Sequence, residues 1–130
     1  MPRHRHDTPT EVELEILQVL WDRESATVRE VVEALNQTRP RAYTSILSML
    51  NVMLDKELVV RQPRGRAHVY RPRKPREKTL GGIVGDLLGR AFDGSASSLI
   101  TQVLTESKPS PHELDEIRKV IESYHEQGER

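Results

Sequence analysis

Apolar positions along this chain recur in two rhythms, one helical and one strand-like. From Val12 to Trp21 they fall every three or four residues: Val12, Ile16 and Leu20 repeat, with Leu14, Leu17 and Trp21 beside them. Such spacing winds onto one broad face of a helix. Thr8 or Thr10 can cap that helix, and acidic residues fill its first turn. A second helix is predicted after "ESAT". Thr27 stands three residues before Glu30, a capping-box spacing, and Val28, Val31, Val32 and Leu35 form its stripe. "NQTRPR" then breaks the chain, because Pro40 disfavours helical backbone at Arg39. A third helix is predicted over 41–57, with Ile46, Leu50, Met53 and Leu54 turned inward. Its outer side carries Arg41, Thr44, Ser45, Ser48 and Asn51. These are small hydrogen-bonding residues for the most part, where a merely solvated face would carry Lys and Glu.

The rhythm then changes. "LVVRQP" and "AHVYRP" are β-prone runs around "RGR", which predicts a hairpin turning at Gly65. Three helices followed by a hairpin describe a winged helix–turn–helix, in which the second and third helices form the turn motif and the hairpin is the wing. Beyond it the helical rhythm returns. Leu80, Ile83, Val84, Leu87, Leu88 and Ala91 make one stripe. Gly81 and Gly82 each weaken that helix by about 0.5–1 kcal/mol and mark a candidate hinge between lobes. Gly82, Gly85 and Gly89 would also let another helix approach closely. Ala96, Leu99, Ile100, Val103 and Leu104 make a further stripe. The last helix has Ser110 as cap, Pro111 in first position and Glu113 completing a capping box, with Leu114, Ile117, Ile121 and Tyr124 behind them.

The fold class is therefore mainly α, a winged helix–turn–helix followed by a helical region. Residues 1–9 are read as a flexible N-terminus, 10–76 as the winged-helix DNA-binding domain and 77–130 as a helical dimerisation domain. A lobe of about 50 residues seldom buries enough surface to stand alone. A second copy is the simplest partner for its stripes; packing back onto the winged-helix lobe is the alternative. The candidate dimer contacts are Leu80, Ile83, Leu87, Phe92, Leu99, Ile100, Val103, Leu104, Leu114, Ile117 and Ile121.

Charge sharpens this picture. The 130-residue chain has no formal net charge, yet the charge is unevenly placed. Residues 1–35 hold four basic and eight acidic residues, 36–79 hold eleven and three, and 80–130 hold five and nine. The run "RQPRGRAHVYRPRKPR" alone, from Arg61 to Arg76, carries seven Lys or Arg and no acid. A basic middle between acidic ends suggests one face built for a polyanion. A helix in the DNA major groove reads bases mostly from its N-terminal half. Thr44, Ser45 and Ser48 are placed for that, and Arg41 for a guanine or a phosphate. Tyr43 either bonds a phosphate or packs beneath the helix. Arg64 and Arg66 flank Gly65 at the wing tip, where they can reach backbone or minor groove. Arg39, Arg61, Arg71, Arg73 and Lys74 line the approach. His68 reads as a strand-surface residue.

Composition excludes other classes. There is no cysteine, hence no disulfide, thiolate metal site or cysteine nucleophile. One Trp and one Phe leave the core to aliphatic residues. No apolar run approaches the roughly 20 residues of a membrane span, and "MPRHRHDTPT" lacks the apolar stretch of a secretory signal. A cytoplasmic protein is expected. His4 and His6 are too few ligands for a metal site, and no cofactor is expected. "GGIVG" lacks the lysine and strand of a phosphate loop, and no nucleophile–base pair stands out, so an enzyme is not expected. A winged-helix module that binds an acidic protein partner is the alternative to a DNA-binding protein.

The blocks "LEILQVLW", "TVREVVEAL", "RAYTSILSMLNVMLDKELVVRQPRGRAHVYRP" and "GGIVGDLLGRAFDGSASSLITQVLTESKPSPHELDEIRKVIE" together resemble the BlaI/MecI (penicillinase repressor) family of bacterial regulators, over about residues 10–123. That resemblance implies a homodimeric repressor with an N-terminal winged helix and a C-terminal three-helix dimerisation region. It implies an operator of inverted TACA/TGTA-type half-sites. In the antibiotic-resistance branch a membrane sensor-protease cuts the dimerisation region and repression lifts. This chain departs from that branch at the scissile bond, where Gln102–Val103 stands in place of Asn–Phe. It also lacks the cysteine motif of the copper-responsive branch, so copper sensing through thiolates is excluded.

Overall fold

The computed structural model describes residues 8–128. His4 and His6, and most of the segment read as a flexible N-terminus, lie outside the described residues. The elements run α1 Glu11–Arg23, α2 Val28–Leu35, α3 Tyr43–Asp55, β1 Val59–Arg64, β2 Ala67–Pro72, α4 Arg76–Ala91, α5 Ala96–Ser107 and α6 Pro111–Gly128. Three helices and then a hairpin are the winged helix–turn–helix that the pattern predicts, followed by three more helices. The chain divides into two compact units, 1–84 and 85–130, and the division falls inside α4.

In the N-terminal unit the apolar stripes of three helices meet. α1 contributes Ile16, Leu17 and Leu20, α2 contributes Val28, Val31 and Leu35, and α3 contributes Ile46, Leu50 and Met53. Trp21 packs at the edge of this core, and its indole N–H donates to the Lys74 carbonyl at 3.2 Å. Burying an aliphatic side chain of this size contributes about 1.5–3 kcal/mol, so these positions decide the packing. Local signals fix where the helices start. Thr10 and Thr27 both build complete capping boxes, with Glu13 and Glu30 respectively.

Two contacts bind these elements across long stretches of chain. Glu13 is buried, and both its carboxylate oxygens accept from Lys56 Nζ at 3.0 Å, which ties the start of α1 to the end of α3. One of those oxygens also accepts from the Thr10 amide at 2.9 Å. Ala26, just ahead of α2, pairs with the buried Tyr70 of β2. The Ala26 amide donates to the Tyr70 carbonyl at 3.0 Å, and the Tyr70 amide returns a bond at 2.8 Å. The wing is thereby stitched to the helix–turn–helix as well as packed on it.

β1 and β2 pair antiparallel from Val59↔Pro72 to Arg64↔Ala67. A two-residue loop, Gly65–Arg66, closes them. Gly65 has φ 63° while Arg66 is not among the positive-φ residues. That combination is a type II′ turn, whose first loop position favours glycine and whose twist matches the strands.

The helices after the wing are built differently. α4 runs through Gly81, Gly82, Gly85 and Gly89 without a break, whatever their propensity costs. Ser95 caps α5 by accepting from the Ser98 amide, and Ser110 accepts from the Glu113 amide at the start of α6. Yet none of α4, α5 and α6 has a buried residue.

Candidate nucleic-acid interface

α3 buries Ile46, Leu50 and Met53 and leaves Tyr43, Thr44, Ser45, Ser48 and Asn51 exposed on the other side. The period of 3.6 residues makes both faces continuous. Among the described residues, the side chains of Thr44, Ser45, Ser48 and Asn51 have no hydrogen-bond partner in the chain. Helical hydroxyls often bond back to a carbonyl one turn earlier. Thr101 and Thr105 of α5 do so, to Ser97 and Thr101 at 2.8 and 2.9 Å. The hydroxyls of α3 are thus free to bond something else.

One expectation needs correction. The pattern places Arg41 on the third helix, but α3 begins at Tyr43 with Ala42 as its N-cap. Arg41 precedes the helix, and its guanidinium donates to Glu15 Oε1 of α1 at 2.7 Å. Its amide donates to Asn36 Oδ1 at 2.6 Å. Ala42 supplies no side-chain cap, so the start of α3 is fixed by these flanking bonds. Arg39 is exposed in the preceding turn, where its amide bonds the Leu35 carbonyl.

The basic residues of the wing are exposed, but they do not share one side. Residues paired across a ladder project to the same face of the sheet. Arg61 pairs with Tyr70, whereas Arg64 pairs with Ala67 and Arg71 with Val60. Arg61 therefore lies on the face that Tyr70 presents to the core, and Arg64 and Arg71 lie on the opposite face. At the turn, Arg66 lines a cleft of 380 Å³ together with Arg29, Tyr43 and His68, and Arg64 stays outside it. Tyr43, half-exposed at the first position of α3, stands at the wall of this cleft. Sequence reasoning did not single out Arg29. A single arginine in the first turn of a helix gives no signal until the fold sets it opposite the wing.

The residues expected to join two copies are all uncovered to some degree. Leu87, Ile100, Val103, Leu114 and Ile121 are exposed, and Leu80, Ile83, Phe92, Leu99, Leu104 and Ile117 are half-buried. Val120 is 66% exposed and adds to the α6 stripe. Gln102 and Val103 sit exposed in the middle of α5, where the Gln102 side chain donates to Glu106. Among the described residues no helix is long and apolar enough to cross a membrane, and no cluster of three potential ligands could hold a metal ion.

These features have relatives. The chain is 33% identical over 113 residues to a transcriptional regulator BlaI of Mycobacterium tuberculosis, covering 85% of this chain and 80% of that protein. It is 24% identical over 115 residues to a penicillinase repressor of Bacillus licheniformis, covering 88% and 90%. Among solved structures, the DNA-binding domain of the repressor BlaI matches 52% of this chain and 83% of its own, with 28% identity and a TM-score of 0.48. The profile of the penicillinase repressor family matches residues 9–123. With nearly its whole length matched, the chain belongs to the penicillinase repressor family, whose members are transcriptional repressors and not enzymes.

Proposed function

We propose that this protein is a sequence-specific transcriptional repressor that binds an inverted-repeat operator on double-stranded DNA as a homodimer in the cytoplasm. The observation that carries the reading is the free polar face of α3 beside a wing rich in unpaired arginines. The major groove of DNA is wide enough to admit a helix, and hydroxyls can bond either base edges or phosphates. Thr44, Ser45 and Ser48 read bases, with the Thr44 methyl available to a thymine methyl. Arg39, Arg61, Arg64 and Arg71 serve the backbone, and such contacts orient a protein and supply affinity without reading sequence. Arg41 fixes the start of the reading helix through Glu15 and Asn36. Residues 10–76 act as the DNA-binding domain and 77–130 as the dimerisation domain.

The uncovered faces of α4, α5 and α6 support the dimer. A second copy would cover them and set two winged helices on one DNA. Joining two half-site contacts raises avidity about 10²–10⁴-fold through effective concentration. Any signal that parts these helices releases the operator while leaving the reading residues intact. A cut at Gln102–Val103 by a membrane sensor-protease would do so, but that bond lies within a helix. α5 would have to open locally before a protease could engage it.

Footprinting on the DNA upstream of the protein's own gene tests the reading, with and without candidate inducers. Two protected half-sites of inverted TACA/TGTA type are expected, with affinity falling steeply as salt rises. No protection at low salt would sink it. Replacing Arg64 and Arg66 together with Ala should weaken binding to all sequences alike and lower the salt slope. A change in operator preference alone would remove the wing from the backbone role.

A further inference from the structure

The cleft of 380 Å³ between α2, α3 and the wing is lined by Arg29, Arg66 and His68, with no carboxylate among its lining residues. Among the described residues, none of these three side chains has an ion pair or hydrogen bond. Two other basic groups of the same unit, Arg41 and Lys56, are by contrast committed to Glu15 and Glu13. Gathering two guanidinium groups around one concavity without a counter-charge is electrostatically unfavourable, and an anion entering there relieves it. The phenol of Tyr43 can donate to the same anion. Val28, Leu47 and Tyr70 wall the cleft with apolar surface, and charge-assisted bonds strengthen where water is displaced.

We propose that this cleft is a phosphate seat, in which Arg29, Arg66, His68 and the Tyr43 hydroxyl hold one backbone phosphate of the DNA strand beside the groove that α3 enters. The proposal rests on the DNA-binding reading above and adds a defined site to it. Tyr43 opens α3 and Thr44 follows at once, so an anion seated here lies next to the residues that meet bases. The seat would therefore fix the depth and register of α3. It also separates the two tip arginines. Arg66 belongs to the seat, whereas Arg64 lies outside the cleft and makes at most an independent contact.

The test uses the full chain and a duplex carrying an inverted TACA/TGTA repeat. Single phosphates are replaced one at a time by uncharged methylphosphonate. The wild-type protein should lose roughly tenfold in affinity at one linkage per half-site. Arg29→Ala should lose a similar factor on the unmodified duplex and nothing further at that linkage, the signature of a coupled pair. Its salt slope should fall by about one per half-site. Arg66→Ala should silence the same linkage, and Arg64→Ala should not. Arg29 is exposed, so an unchanged thermal melt will show that the fold survives. Wild-type affinity and slope in Arg29→Ala would overturn the seat while leaving the DNA reading standing, as would losses that simply add at every linkage. A wild-type protein that binds no duplex at low salt would bring down both.

Discussion

The helices before the wing and those after it use similar amphipathic faces to different ends. Among the described residues, every buried one lies between Glu13 and Tyr70. α1, α2 and α3 turn their stripes toward one another, and the wing covers the gap they leave. α4, α5 and α6 have stripes of comparable period with no buried residue, and Val84, Val120 and Tyr124 are each more than half exposed. Apolar surface left uncovered in this way supports the proposed second copy, since large exposed apolar patches commonly mark interaction sites. An apolar stripe shows that a helix has a face to bury. It does not show what will cover that face.

The largest test of this contrast is Ile117→Asp. Ile117 sits half-buried amid the α6 stripe, with Leu114, Val120 and Ile121 around it. A carboxylate there would have to be desolvated in any dimer. Light scattering should report a monomer, and operator affinity should fall about 10²–10⁴-fold as avidity is lost. The unfolding transition of the N-terminal unit should stay where it is. An unchanged dimer mass would mean that α6 is not in the interface and would weaken the contrast at its base.

What sequence revealed follows the same divide between local and distant causes. The Thr27–Glu30 box, the Gly65 turn and the Ile46, Leu50, Met53 stripe each depend on residues a few positions apart, and each is present. Arg41 was misplaced because its partner Glu15 lies 26 residues away on another helix. Glu13 reads as an ordinary acid in a first turn, yet it is buried, because Lys56 reaches it from 43 residues further on. The Ala26–Tyr70 bridge is one residue wide and leaves no periodic trace. Of the candidate interface, the hydroxyl face of α3 was legible as a pattern. The cleft joining Arg29 to Arg66 was not, since it exists only once the wing is folded against α2 and α3.

Lys56→Met probes the self-contained unit. It leaves the Glu13 carboxylate, 1% exposed, without its counter-charge. Breaking a buried pair from one side costs about 3–5 kcal/mol. Because the Lys56 side chain is 20% exposed, the loss should fall at the lower end of that range, read as a shift in urea midpoint. Adding Glu13→Gln should recover much of the loss, since the remaining amide carries no charge to strand. A loss under about 1 kcal/mol, typical of surface pairs, would show that water reaches Glu13 and that the unit is less closed than its burial implies.

The smallest effect separates the units most cleanly. Thr27 and Ser110 perform the same task, each accepting from the amide three residues on, at 3.2 and 3.1 Å. Replacing either with Ala should cost about 1 kcal/mol of helix stability. The consequences should nonetheless differ. α2 packs within its own unit, so the loss in Thr27→Ala should not depend on protein concentration. If α6 is stable only against a second copy, its folding is linked to association, and its melting point rises with protein concentration. Ser110→Ala should then weaken the dimer, raising its dissociation constant, and the melting points of variant and wild type should both climb with protein concentration. A dissociation constant left unchanged by Ser110→Ala, with a melting point that does not move with protein concentration, would mean that the C-terminal helices hold themselves together without a partner.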